Sequence, residues 1–255
     1  DAFFGITGHT GVLTITGGDP TVAQLNAISG ASTGNVVASI TGTAVALAGL
    51  TTAGTDVITV TITGAAATIT QLKGINAVTS GGITLSAATK AENYSDTAAN
   101  LADAFFGITG HTGVLTITGG AAPTVAQLNA IAGASTGNVV ASITGTAAEL
   151  AGLTTLGTDV ITVTITGGAA TITQLKAINE ATAGTITLNA ATIGADYSGT
   201  AANLAAAFFG ITTHTGGLTI TGVAATIAEL VVINTATAGG ITLSAATKAE
   251  NYSDT

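Results

Sequence analysis

Residues 57–76 read VITVTITGAAATITQLKGIN. In the first half, apolar residues alternate with threonine. Ile58, Val60 and Ile62 point to one side of an extended chain and Thr59, Thr61 and Thr63 to the other, because successive side chains of a strand face opposite ways. So short a strand cannot stand alone and must pair with neighbours. The second half changes period. Thr68-Ile69-Thr70-Gln71 is a capping box: the threonine hydroxyl accepts from the third amide of a helix and the glutamine reaches back. Ile69, Leu72 and Ile75 then recur at helical spacing. One unit therefore reads strand, turn, short capped helix.

The unit repeats along the chain. Strand words begin at Leu13 (LTITG), Val36 (VVASITG), Val57 (VITVTITG) and Ile83 (ITLSA). They return at Leu115, Val139, Val160 and Ile186, and two of them again at Leu218 and Ile241. Capping boxes T-x-x-Q/E start at Thr21, Thr68, Thr124, Thr146, Thr171 and Thr226. Weaker versions start at Thr97 and Thr200, and Thr43 has lost the partner residue. Apolar stripes follow, as in Val22, Leu25, Ile28 and in Ile172, Leu175, Ile178. Turns rich in Gly or Asn lead back to the next strand. A crossover through a helix makes consecutive strands parallel, and stacking buries what one unit cannot. The expected fold is an α/β solenoid of about ten coils, each a short parallel strand plus a short capped helix, with a thin Ile/Leu/Val/Ala core. An all-β solenoid, or β-helix, is the alternative. The layout resembles leucine-rich repeats without their consensus.

A longer period overlies the short one. Residues 1–18 and 103–120 are identical, and a degraded third copy begins at Ala206. This divides one continuous solenoid, 1–255, into super-repeats of about 1–102, 103–205 and a shortened 206–255. The two units that begin at Ile83 and Ile186 are longer. They insert AATKAENY or AATIGADY before the helix and add AFFGITGHT after it, and these inserts are expected to bulge. Residues 239–255 repeat residues 81–97 letter for letter. Five more residues, the AANLA of 98–102, would run the end back into Asp1. The expectation is a window on a longer repetitive chain; the alternative is a protomer whose end docks on the start of the next.

Composition narrows the function. Aromatic residues are 4% and charged residues 7%, with 35 Gly and no Cys, Met or Trp; ordinary domains carry roughly a quarter charged residues. Small and β-branched residues suit a core built by repetition. A net charge of −9 with four Lys and no Arg argues against a nucleic-acid partner. Without cysteine there are neither disulfides nor thiolate metal sites. The uncharged stretch 36–54 has the length of a membrane span, but Ser, Thr and Gly interrupt it and its second copy carries Glu149. No membrane span is expected.

Nothing in the pattern points to catalysis. An active site is a unique constellation, and this chain has almost no unique residues; no enzyme is expected. His9, His111 and His214 recur about a hundred residues apart in ITxHTG turns and read as turn residues. Asp56 and Asp159 precede VITVTIT, where they could cap a turn or hold a weakly bound cation. The calcium-binding nonapeptide is absent, so no cofactor is expected, with calcium a remote option.

Two surfaces stand out instead. Thr14, Thr16, Thr59, Thr61, Thr63, Thr116, Thr118, Thr162, Thr164, Thr166, Thr219 and Thr221 would stack as an outward hydroxyl ladder. Such T-x-T rows resemble those of ice-binding proteins and would equally suit a polysaccharide. The aromatic residues Phe3, Phe4, Phe105, Phe106, Phe208, Phe209, Tyr94, Tyr197 and Tyr252 are candidates for contact with a neighbouring chain. Adjacent residues rarely both bury on one helix face, so one Phe of each pair is expected in the core and the other outside.

The words SDTAANLADAF (95–105), SGTAANLAAAF (198–208) and ITGTAAEL (143–150) resemble a repeat of very long extracellular proteins of cyanobacteria and alphaproteobacteria. The resemblance runs through the whole chain and implies a secreted surface or matrix protein; it carries over no catalytic residues. Together these readings lead to a structural extracellular or cell-surface protein, partnered with itself end to end in a fibre, sheath or surface layer. An adhesion module that binds ice or glycan through the threonine face is the alternative.

Overall fold

The computed structural model describes residues 7–252. Strand and helix alternate throughout. In chain order the elements are β1 (Leu13–Thr14), α1 (Val22–Ala31), β2 (Val36–Thr43), α2 (Ala44–Leu47), β3 (Val57–Thr63) and α3 (Ile69–Asn76). Next come β4 (Ile83–Thr84), α4 (Ala87–Ala91), β5 (Tyr94–Asp96), α5 (Ala98–Ala104), β6 (Leu115–Ile117) and α6 (Val125–Ala134). They are followed by β7 (Val139–Thr146), α7 (Ala147–Leu150), β8 (Val160–Thr166), α8 (Ile172–Glu180), β9 (Ile186–Thr187) and α9 (Ala190–Ile193). Last are β10 (Tyr197–Thr200), α10 (Ala201–Phe208), β11 (Leu218–Thr221), α11 (Ile227–Ala236), β12 (Ile241–Thr242) and α12 (Ala245–Ala249). The strands lie in three parallel sheets. The fold is α/β, and the all-β alternative is excluded.

The chain forms two compact units, Asp1–Ala121 with Ala130–Val139, and Ala122–Asn129 with Val140–Thr255. In the first, β2 and β3 pair from Val37 opposite Val57 to Thr43 opposite Thr63. Their inward residues Val36, Ala38, Ile40, Ile58, Val60 and Ile62 are buried, as are Leu25, Leu47, Leu72, Ile75 and Leu101 from the helices. In the second, β8 carries Ile161, Val163 and Ile165 into a core shared with Leu150, Leu175, Ile178, Leu204, Leu218 and Ile233.

The helix starts are built as the sequence pattern requires. All six T-x-x-Q/E boxes close, each with the threonine hydroxyl on the third amide and the Gln or Glu back on the threonine amide. Thr43, Thr97 and Thr200 accept from the third amide without the return bond from a glutamine or glutamate.

The inserts do not bulge. Twelve strand–helix pairs stand among the described residues, where the sequence words suggest ten. The additional pairs come from AATKAENY and AATIGADY, which fold as the one-turn helices α4 and α9 and lead into β5 and β10. Two hydrogen bonds hold each insert down. The buried Thr89 hydroxyl accepts the Ala67 amide (3.0 Å), and the Tyr94 hydroxyl donates to the Ala67 carbonyl (2.7 Å). Thr192 and Tyr197 repeat this on Ala170. Each insert, anchored through a tyrosine and a threonine, thus supplies a helix and the first strand of a new sheet.

Spacing between successive pairs is set by a hydroxyl and a glycine. Ser32, Thr79, Ser135, Thr182 and Thr237 each accept the amide of the glycine two residues on, at 2.8–3.0 Å. These are hydroxyl turns, and they bring the glycine hard against the preceding pair. A Cβ at Gly34, Gly81, Gly137, Gly184 or Gly239 would collide with the carbonyl of Gly11, Ile58, Gly113, Ile161 or Gly216 respectively. Only glycine permits that approach.

Candidate interaction surfaces

The outward threonines form rows in register. Across β2 and β3, Ser39 faces Thr59, Thr41 faces Thr61 and Thr43 faces Thr63, and Thr61 also faces Thr84 of β4. Across β7, β8 and β9 the same rows recur as Ser142–Thr162, Thr144–Thr164–Thr187 and Thr146–Thr166. Thr219 stands between Ser198 and Thr242, and Thr116 faces Ser95. Thr14, Thr16, Thr59, Thr63, Thr118, Thr162, Thr166 and Thr221 are exposed, while Thr61, Thr116, Thr164 and Thr219 are half-buried. Parallel pairing places hydroxyls at about 4.8 Å across the strands and about 6.7 Å along them.

The aromatic residues divide sharply. Phe3 and Phe4 lie outside the described residues. Tyr94, Phe105, Tyr197 and Phe208 are buried in their own units, so the expectation that they meet a neighbouring chain is corrected: they have almost no surface to offer. Phe106 (75% exposed), Phe209 (66%) and Tyr252 (41%) remain accessible. The two exposed phenylalanines sit on turns pinned from α3 and α8, where the side-chain amides of Asn76 and Asn179 donate to the Phe106 and Phe209 carbonyls. A cleft of about 150 Å³ lies beside Phe106, and one of about 240 Å³ beside Phe209. A shallower apolar groove of about 380 Å³ runs from Asn179 and Glu180 past Ala205, Ala206 and Phe209 to Ala228, Glu229 and Val232.

The buried aromatics form clusters that sequence reading missed. Tyr94, Phe105 and His111 pack with ring centroids 4.9–5.6 Å apart, and Tyr197, Phe208 and His214 repeat the arrangement at 4.8–5.5 Å. His111 and His214 are fully buried, so they are core residues rather than ordinary turn residues. His111 has two partners, the Ser135 hydroxyl at 3.1 Å and the Glu92 carbonyl at 3.0 Å. Neither ring nitrogen of His214 has one. Burial pushes both imidazoles below the ordinary histidine pKa. The Glu92 carbonyl offsets part of this for His111; the backbone near Thr192 and the Asp196 charge do so for His214. Burial, followed by the Glu92 charge, lifts the Tyr94 phenol to about 12.

The aspartates act as turn caps. Buried Asp56 accepts from the Val36 amide at 2.7 Å, the Ser29 hydroxyl at 2.8 Å and the Ala53 amide at 3.0 Å. Asp159 accepts from the Leu156 amide at 2.8 Å. Among the described residues no three His, Cys, Asp or Glu side chains come together as a metal site. No helix of the described residues is long and apolar enough to cross a membrane.

Neither a protein-family model nor any curated protein or solved structure matches this chain. The function is therefore argued from the surfaces themselves.

Proposed function

We propose that the chain is a structural element of an extracellular fibre, sheath or surface layer, assembled end to end by stacking strand–helix pairs into a continuous solenoid. The observation that carries this reading is the recurring turn that spaces one strand–helix pair from the next. Within each of the three sheets the strands follow one another in chain order, and the hydroxyl–glycine turn fixes the same close approach at five places. Parallel strands leave unpaired edges wherever stacking stops, and an edge recruits another strand unless it is blocked. The chemistry that holds one pair to the next within the chain serves equally between chains.

Negative-stain electron microscopy and fibre diffraction of the concentrated protein test this. Filaments with a meridional spacing of about 4.8 Å are expected, since strands stack along the fibre axis. Monodisperse particles at millimolar concentration would sink the reading. A second reading, adhesion to a periodic surface such as ice or a glycan, is favoured by one observation: one hydroxyl row in each sheet runs in register across three strands. Retention of a monomer on a polysaccharide column, or slowed ice growth, would select it.

A further inference from the structure

Within the chain, residues 90–94 dock on residues 111–115. The Thr112 and Gly113 amides donate to the Lys90 carbonyl at 2.8 and 3.1 Å, and the Val114 amide to the Asn93 side chain at 2.7 Å. The Tyr94 amide returns a bond to the Val114 carbonyl at 2.9 Å, and the His111 ring meets the Glu92 carbonyl. Tyr94 then faces Leu115 in the strand register. Both halves of this joint recur in identical sequence, one in each compact unit. Residues 248–252 repeat 90–94, and residues 9–13 repeat 111–115.

In those two places the same side chains are uncovered. Leu115 is fully buried but Leu13 only half-buried; Tyr94 is buried, whereas Tyr252 is 41% exposed. Val114 is half-buried, whereas Val12 is 64% exposed. Tyr252 is nevertheless already set, its hydroxyl donating to the Ala225 carbonyl at 2.6 Å as Tyr94 does to Ala67. From this we infer that two copies of the chain join head to tail in one fixed register, residues 248–252 of one against residues 9–13 of the next. The inference rests on the end-to-end reading above and adds its contact surface. Thr10 and Gly11 amides donate to the Lys248 carbonyl, the Val12 amide to Asn251 Oδ1, and Tyr252 faces Leu13.

One glycine makes the joint testable without disturbing the fold. A Cβ at Gly113 would collide with the Glu92 carbonyl, whereas at Gly11 it would meet only the edge of the His9 ring at 3.1 Å, a contact that a small shift of that side chain relieves. Gly11→Ala should therefore fold as the unsubstituted chain does, yet place a methyl group against the Glu250 carbonyl of the arriving copy. Gly30→Ala, with open space around its Cβ, is the control. Sedimentation of the full chain across a concentration series reads the outcome, with circular dichroism reporting the fold.

The unsubstituted chain and Gly30→Ala should associate alike, and Gly11→Ala should associate more weakly by roughly a hundredfold, the scale of an overpacked contact. Asn251→Ala, on the other half of the joint, should weaken association by roughly tenfold through one lost hydrogen bond. If Gly11→Ala and Asn251→Ala both associate normally, the register is wrong while end-to-end assembly stands. If the unsubstituted chain never associates, both readings fall.

Discussion

The aromatic–histidine cluster is built twice from the same words, and the two copies differ in one respect. Around Tyr94, Phe105 and His111 both imidazole nitrogens are satisfied, by Ser135 and by the Glu92 carbonyl. Around Tyr197, Phe208 and His214 the rings pack at nearly the same distances, yet both nitrogens are orphaned. The second copy has Thr237 where the first has Ser135. The Thr237 hydroxyl donates to the Gly216 carbonyl and accepts from Gly239, and makes no bond to the ring. Packing was preserved through duplication while polar pairing was not. Ring shape alone holds a cluster together, whereas a hydrogen bond requires one particular atom.

The largest test removes the shared part. Phe105→Ala and Phe208→Ala each delete a buried ring and should cost about 3–5 kcal/mol in their own unit, the usual range for Phe truncation in a core. Hydrogen exchange resolved by unit checks it. Equal losses would support the view that packing is conserved between the copies, and a much smaller loss at Phe208 would break it.

The next test separates the copies. His111→Phe keeps ring volume but strands the part-buried Glu92 carbonyl and the buried Ser135 hydroxyl, at a cost of roughly 1–3 kcal/mol. His214→Phe loses only the weak approach of the Thr192 and Ile193 backbone and removes two buried nitrogens without a partner at hydrogen-bond distance, so it should be neutral or stabilising by about 1 kcal/mol. The denaturation midpoint should therefore fall for His111→Phe and hold or rise for His214→Phe.

How much of this was legible from sequence follows from what each feature needs. The switch from alternating Thr to T-x-x-Q/E lies within twenty consecutive residues, so strands and helix starts could be read directly at Val57–Asn76. Tyr94–Asp96 could not, because YSD carries no apolar alternation; it becomes a strand by pairing with Leu115–Ile117. The burial of His111 was hidden for a similar reason. It depends on Tyr94 and Phe105 arriving from other elements, and a lone histidine in a glycine-rich turn gives no sign of that. The threonine rows were visible one strand at a time, while their alignment needed the observed register. A signal for the orphaned His214 did exist: superposing the copies sets Ser135 against Thr237, and a β-branched hydroxyl has fewer directions in which to point.

Acid should expose the two histidines together. Burial depresses both pKa values, so below about pH 6.5, the ordinary histidine value, the unfolded chain holds more protons than the folded one. Their contribution to stability is complete above that pH and is lost as the pH falls through the folded values. Denaturation followed from pH 7.5 to 5 should show stability falling toward acid. His214→Phe should flatten that slope in the second unit and leave the first unchanged. A slope that ignores both His111→Phe and His214→Phe would locate the acid sensitivity elsewhere.

The smallest contrast lies on the surface. In the first unit Lys73 of α3 reaches Asp103 of α5 at 2.9 Å and Asn100 at 3.0 Å, tying neighbouring helices together. In the second unit Ala206 stands at the position of Asp103, and Lys176 instead approaches Glu180 of its own helix at 3.9 Å. All four charged side chains of these two pairs are more than a third exposed, so solvent and salt screen both. Asp103→Ala makes the first unit resemble the second and should cost no more than about 0.5–1 kcal/mol, vanishing in molar salt. Ala206→Asp should return a similar amount to the second unit only if Lys176 turns away from Glu180. Equal and opposite shifts at low salt would show that the two helix rows are interchangeable in packing and differ only in which neighbour the lysine meets.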